Sequence, residues 1–494
     1  MSKPAHIKRP IMFVGTGSDV GKSIINTAFC RIFKQDDHHP APFKAQNMSL
    51  NSYATHEGLE IGRAQAVQAE ACGVSCRSDM NPVLLKPSNN LESQIVLNGK
   101  PIGSRSASDY FSSTDRYRLF DKVMQSYKRL ENDYAPIVIE GAGSISELNL
   151  RDKDITNMHV AVATKAATYL IADIDKGGIF ANIYGTLELL PLEERRLIKG
   201  IIINKFRGDP GLFETGKQKL ENLTGVPVVG ILPYFNDIHI EEEDSVVLEN
   251  KKGASSAGKV NIAIVLLRHM SNFTDFDVLE RTPGVHLYYA AYPDDLDNAD
   301  IVIIPGSKNT ISDMFYLRKR GLAKSIKKHH EAGKAVYGIC GGYQMMGKSI
   351  ADPYHVEGDI AFIPGLGILP VETTLSQEKT TEQCTFSFLG GSMECKGYEI
   401  HMGETNHQNG EPLCITDKNH NDGYFLNYKT WGTYIHGIFD NQEVINHILR
   451  ENGTSGLQST SFDYAAYKEE QYDKLAALVR EHTDINYIYQ TLME

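Results

Sequence analysis

Short apolar runs that stop at glycine, aspartate or proline punctuate the first half of the chain: IMFVGTG from Ile11, IVIEGAG from Ile137, TYLIADID from Thr168, GIIINKF from Gly200 and VVGILPY from Val228. Parallel strands covered on both faces are apolar throughout, so these runs predict a buried parallel sheet with its chemistry at the strands' C-terminal ends. Helix-length segments separate them, at Lys22 to Phe33, Gly58 to Cys72, Arg116 to Glu131 and Leu212 to Leu223. This alternation predicts an α/β fold with a doubly wound sheet.

The pattern breaks at the acidic run Glu241 to Asp244 and the small, polar stretch KKGASSAGK, Lys251 to Lys259. A second αβ series follows: VNIAIVLL from Val260, VHLYYAAY from Val285, DIVIIPGS from Asp300, KAVYGICGG from Lys334 and WGTYIHG from Trp431. The predicted organisation is a first α/β domain over 1–250, a linker over 251–259, a second α/β domain over 260–445 and a helical segment over 446–494 that packs on one of the two.

Composition narrows the function classes. At 494 residues the chain is too long for one core, and its 41% hydrophobic and 23% charged content excludes wholesale disorder. Fifty Lys+Arg against 62 Asp+Glu give a net charge of −12, which argues against a general grip on nucleic acid or an anionic membrane. Seven cysteines in no paired framework, a start without a secretory signal and no apolar stretch near the ~18 residues of a membrane span predict a cytoplasmic protein. None of this bears on oligomeric state.

The first predicted strand runs into Gly15-Thr16-Gly17-Ser18-Asp19-Val20-Gly21-Lys22-Ser23, which opens a helix. A glycine-rich turn aims backbone N–H groups at phosphate oxygens, the helix N-terminus adds its positive end, Lys22 reaches the terminal phosphates and Ser23 can ligate Mg²⁺. The spacing departs from GxxxxGK[ST], because Thr16 stands where the first glycine belongs. Glu140, at a strand end, is the candidate acidic Mg²⁺ partner, and Glu60, ahead of a helix, is a second. ATP and Mg²⁺ are therefore the expected cofactors.

The second predicted site is Gly338-Ile339-Cys340-Gly341-Gly342-Tyr343-Gln344, again between strand and helix. This has the form of a nucleophile elbow, whose strained turn exposes the nucleophile and the neighbouring N–H groups. A thiol needs a base to attack near neutral pH, and His436, ending another predicted strand, is the candidate.

The loop, GTxSxVGKS in outline, resembles the dethiobiotin synthetase branch of P-loop enzymes, which implies an adenine-reading role for Asn204. GICGGYQ with a distant YIHGIFDN resembles the class I glutamine amidotransferases, which implies that Cys340 releases ammonia from glutamine, that Gly306 helps form the oxyanion hole and that Gln344 contacts the substrate. The glutamate these enzymes carry two residues after the histidine is replaced here by Ile438, so Asp440 and Glu399 are the candidates to orient His436. Segments FKAQNMSLNS, EIGRAQAVQAEA, EGAGSISELNLRDKDITNM, DIDKGGIFA, SNFTDFD and GYEIHMGET extend the likeness over nearly the whole chain to the cobyric acid synthase family of cobalamin biosynthesis. That resemblance implies amidation of the b, d, e and g carboxylates of (adenosyl)cobyrinic acid a,c-diamide with ATP and glutamine, with Asn47 and Asp152, beside Lys44, Gln46 and Asp154, as candidates to meet the corrin or Mg²⁺. The competing readings are a cobyrinic acid a,c-diamide synthase and a regulatory P-loop ATPase carrying an inactive amidotransferase module.

Overall fold

The computed structural model describes residues 7–88, 92–106, 110, 113–241, 253, 255–407, 410–418, 420–452 and 462–494. Most of the acidic run and the first part of the expected linker lie outside them.

The five apolar runs of the first half form one sheet with a sixth strand, Ala41–Phe43. The order is Val228–Pro233, Ile198–Phe206, Ala167–Asp173, Ile11–Gly15, Ile137–Glu140, Ala41–Phe43, and every pairing is parallel. Ile11, Met12, Phe13 and Val14 are fully buried, because helices cover both faces of this central strand. Burying each such side chain contributes roughly 1.5–3 kcal/mol, enough to fix the strand's position and with it the loop that leaves its end.

The second series builds a sheet ordered Val285–Ala290, Val260–Val265, Ile301–Ile304, Ala335–Ile339, Thr430–Thr433, Tyr424–Asn427, parallel except for its last pair. Beside it lies a sheet dominated by the long antiparallel pair Val371–Phe388 and Cys395–His407, which the sequence reading did not anticipate. These strands alternate buried and exposed positions and carry many polar residues, a weaker signal than the all-apolar parallel strands. A four-stranded sheet between Gln46 and Ser106 was also missed; it lies against the second body, where Asn309 Nδ2 donates to Ser88 O.

The helical end spans both bodies. Tyr464 joins the core of the second, and Tyr472, Leu475, Ala476 and Val479 of the same helix, Tyr464–Glu481, join a core of the first. Arg31 anchors that helix through Glu469 at 2.8 Å and Asp473 at 2.7 Å. An expected boundary at residue 445 falls inside the helix Gln442–Glu451. Among the described residues no helix is long and apolar enough to cross a membrane.

Candidate active sites

The loop after Ile11–Gly15 borders a cavity of about 700 Å³, lined by Ser18, Asp19, Gly21, Lys22 and Ser23. Thr16 N donates to Ile171 O, Val20 is buried beneath, and the Lys22 ammonium donates to Gly17 O and Gly143 O, each at 2.9 Å. Gly21 has φ 96°, and a Cβ there would stand 2.1 Å from Asn204 Nδ2, so only glycine lets this turn close.

Asn204 packs against this loop: its amide donates to Val20 O at 2.9 Å and its oxygen accepts from Lys205 N, so the side chain braces the turn. Lys205 lines the cavity, donating to Asp19 O and held by Asp173 at 2.9 Å.

Glu140 is the acidic centre of this cavity. Ser23 Oγ donates to its Oε1 at 2.8 Å, Lys44 Nζ stands 2.9 Å from the same oxygen, and Gln68 donates to Oε2 at 2.6 Å. Burial alone would raise its pKa, but the Lys44 ammonium and these hydrogen bonds outweigh it and hold the carboxylate charged. A hydroxyl and a charged carboxylate side by side at the end of a phosphate loop are the hard oxygen donors Mg²⁺ takes.

Glu60 is not part of this group. Its two oxygens are taken by Lys86 at 2.6 Å and Lys379 at 2.5 Å, and those lysines line the other site. Two ammoniums hold its carboxyl well below the usual range despite burial, leaving no oxygen for a metal at the loop. Asn47 does line the large cavity and donates to Gln65 Oε1 at 3.0 Å. Asp152 is exposed and outside it, whereas Asp154, which lines it, is occupied in holding Thr156 and Asn157.

At the second site the strand Ala335–Ile339 ends in Cys340 at φ 50°, ψ −110°, a conformation a non-glycine residue pays for only when its surroundings enforce it. Gly342 provides the enforcement: a Cβ there would lie 1.9 Å from Ile304 O, so the turn packs directly on the neighbouring strand. The Cys340 thiol donates to Ile400 O at 3.7 Å. Gly306 sits across from it; a Cβ at that position would be 3.2 Å from His436 Cε1. Gln344 borders the same pocket, accepting from Thr310 Oγ1 at 3.1 Å and donating to Tyr434 OH at 3.3 Å.

His436 is oriented by neither expected carboxylate. Its Nδ1–H donates to Asp275 Oδ2 at 2.7 Å, while Asp275 Oδ1 accepts from Gly437 N at 2.9 Å. Glu399 is turned toward His401, 3.0 Å away, and Asp440 follows in the turn Ile438–Asp440 without reaching the ring. Burial would lower the imidazole's pKa, but the Asp275 charge and hydrogen bond, followed by the Cys340 sulfur, raise it to about 10. Tyr398 stacks on the ring, centroids 5.4 Å apart, fixing its plane. Asp275 sits in the buried turn Phe273–Phe276, and no local pattern in the sequence marks it.

Two family models divide the chain: residues 11–247 match the CobQ/CobB/MinD/ParA nucleotide binding domain and residues 261–444 the CobB/CobQ-like glutamine amidotransferase domain. A cobyric acid synthase of Parabacteroides distasonis is 59% identical over 98% of this chain and 99% of its own length. The chain belongs to the cobyric acid synthase family. Family members from Bacteroides fragilis, at 57%, and Phocaeicola vulgatus, at 56%, are covered just as fully. Within this cobyric acid synthase family chain, the phosphate loop falls in the first matched region, and Cys340, His436 and Asp275 all fall in the second.

Proposed function

We propose that the chain is a cytoplasmic, glutamine-hydrolysing amide synthase that converts the b, d, e and g carboxylates of (adenosyl)cobyrinic acid a,c-diamide to carboxamides at the expense of ATP. Residues 1–250 form the synthetase part, and the second α/β body, from residue 260 through the helix Gln442–Glu451, forms the glutaminase. The observation that carries this reading is the presence in one chain of the Lys22–Ser23–Glu140 group and the Cys340–His436–Asp275 group.

In the glutaminase, Cys340 and His436 act as a thiolate–imidazolium pair that Asp275 stabilises, and the thiolate sulfur attacks the glutamine side-chain carbonyl. The oxyanion forms toward Gly306 and the N–H groups of the elbow. His436 returns the proton to the departing ammonia, and water then cleaves the thioester to glutamate. In the synthetase, a substrate carboxylate oxygen attacks the γ-phosphorus of ATP and ADP leaves. Ammonia then displaces phosphate from the acyl phosphate, giving the amide. Lys22 and the loop N–H groups offset charge on the transferring phosphoryl group, and Lys44 keeps Glu140 ionised. Ser23 and Glu140 fit Mg²⁺ by donor chemistry; the ion, when bound, would neutralise phosphate charge.

Incubation with ATP, Mg²⁺, glutamine and either cobyrinic acid or its a,c-diamide, followed by mass analysis, tests the reading. Four amides added to the a,c-diamide are expected. Addition to cobyrinic acid alone, stopping at two, would assign the a,c-diamide synthase activity instead.

A further inference from the structure

The thiol pocket carries more charge than thiol chemistry requires. Beyond Cys340 and His436, its walls include Lys86, Lys308, Lys379 and Glu357. Lys86 and Lys379 are committed to Glu60. Lys308 is different: among the described residues none accepts a hydrogen bond from its ammonium, and the charges acting on it are those of Lys379, Lys86, Glu357 and Glu60. Desolvation and the two neighbouring lysines press its pKa down more than the Glu357 and Glu60 charges raise it. Glu357 is the counterpart. Its Oε2 accepts from Ile311 N at 3.0 Å, and burial pushes its carboxyl up.

Both groups are held at the site by the same short stretch of chain. Lys308 follows Gly306 by two residues, and its N–H donates to His269 O at 2.9 Å. Asn309 Nδ2 donates to Glu357 O at 3.1 Å. Free glutamine is a zwitterion whose α-carboxylate and α-ammonium lie a few bonds from the amide carbon that the thiol attacks. A lysine and a glutamate bordering one pocket, close enough for each to act on the other's charge, match that pair of charges.

We propose that Lys308 anchors the α-carboxylate of glutamine and Glu357 its α-ammonium, so that the pocket selects the free amino acid over amides lacking either group. The proposal rests on Cys340 being the nucleophile. It makes Lys308 and Glu357 specificity-determining residues.

The test measures ammonia release by the full chain from glutamine, from glutaminamide, which lacks the carboxylate, and from 4-carbamoylbutanoate, which lacks the amine. Lys308→Gln is expected to raise KM for glutamine by roughly 10- to 100-fold, the scale of a charge-assisted hydrogen bond, with a much smaller effect on kcat. It should also lose discrimination against glutaminamide while still rejecting 4-carbamoylbutanoate; Glu357→Gln should show the reverse pattern. Retained discrimination in both variants would overturn the proposal. So would a fall in ammonia-supported amidation equal to the fall in glutamine use, which would mark a packing role. Loss of discrimination on Lys379→Gln but not Lys308→Gln would move the carboxylate to the Glu60 cluster and overturn it as well. Cys340→Ala separates the two layers: ammonia release surviving in that variant refutes the nucleophile, whereas its loss beside an unaltered Lys308→Gln refutes only the head-group assignment.

Discussion

Asp275 Oδ2 lies 2.7 Å from His436 Nδ1, across 161 residues of sequence, and its other oxygen takes the N–H of Gly437. One carboxylate thus fixes both the ring's tautomer and the backbone that carries it. Asp275→Asn keeps the shape but removes the charge that stabilises the imidazolium. Glutamine-supported amidation is expected to fall by about 10²–10⁴-fold, as when a triad carboxylate is neutralised, with ammonia-supported amidation retained. Glu399→Gln and Asp440→Asn should cost far less. If either matched Asp275→Asn in steady-state assays, the orienting role would belong elsewhere.

The contrast between Asp275 and Cys340 shows what the sequence could and could not reveal. Cys340 and Lys22 sit in turns whose glycines, flanking strand and following helix are contiguous, so local pattern was enough to find them. Asp275 acts through a contact made by tertiary folding, and nothing beside it in the chain distinguishes it from Asp277. Glu60 shows the opposite error: a carboxylate ahead of a helix suggested metal binding, but its partners Lys86 and Lys379 come from distant strands. Asn204 reaches the phosphate loop through Val20 O, a contact across 184 residues that spacing does not encode. The parallel strands were legible because burial on both faces makes them apolar throughout; the long antiparallel pair, half exposed and polar, was not.

Lys22 spans the phosphate loop and the Gly143 turn with two 2.9 Å hydrogen bonds, and its charge is the loop's own cation. Lys22→Ala should therefore lower amidation at least about 10²-fold with glutamine or with ammonia, since the loss falls on phosphoryl transfer and not on the nitrogen source. Glutamine hydrolysis measured as glutamate release should survive. Amidation persisting with ammonia would remove the phosphate-loop assignment.

Glu60 ties the two bodies together through a strand of each, Glu60–Gly62 and Val371–Phe388, with every member of the Lys86–Glu60–Lys379 cluster nearly excluded from water. Removing the carboxylate of this buried cluster leaves two ammoniums without a counterion, so Glu60→Gln is expected to destabilise the protein by about 3 kcal/mol or more. The double variant Glu60→Gln/Lys379→Met should lose less than the sum of the singles, because removing Lys379 relieves the repulsion between the two ammoniums that Glu60→Gln exposes. Denaturant midpoints read this directly. Strict additivity, with each change costing under ~1 kcal/mol, would mean that the cluster does not support the interface.

His436 also makes stability depend on pH. Its folded pKa is raised to about 10, against about 6.5 in an unfolded chain, because Asp275 and then the Cys340 sulfur outweigh the cost of burial. Raising a base's pKa on folding means that the native state binds the proton more tightly. The resulting stability is complete below about pH 6.5 and drains away as pH climbs through 10, at up to about 1.4 kcal/mol per unit, or a few kcal/mol in all. Other groups titrate over the same range, so the informative quantity is the difference between the wild type and His436→Gln. The wild type should lose its advantage in melting temperature between pH 7 and pH 10, and Asp275→Asn should flatten the trend, since it removes the main charge that raises the imidazole. Parallel melting curves for the wild type and His436→Gln across that window would show that the ring is not held as a cation by Asp275.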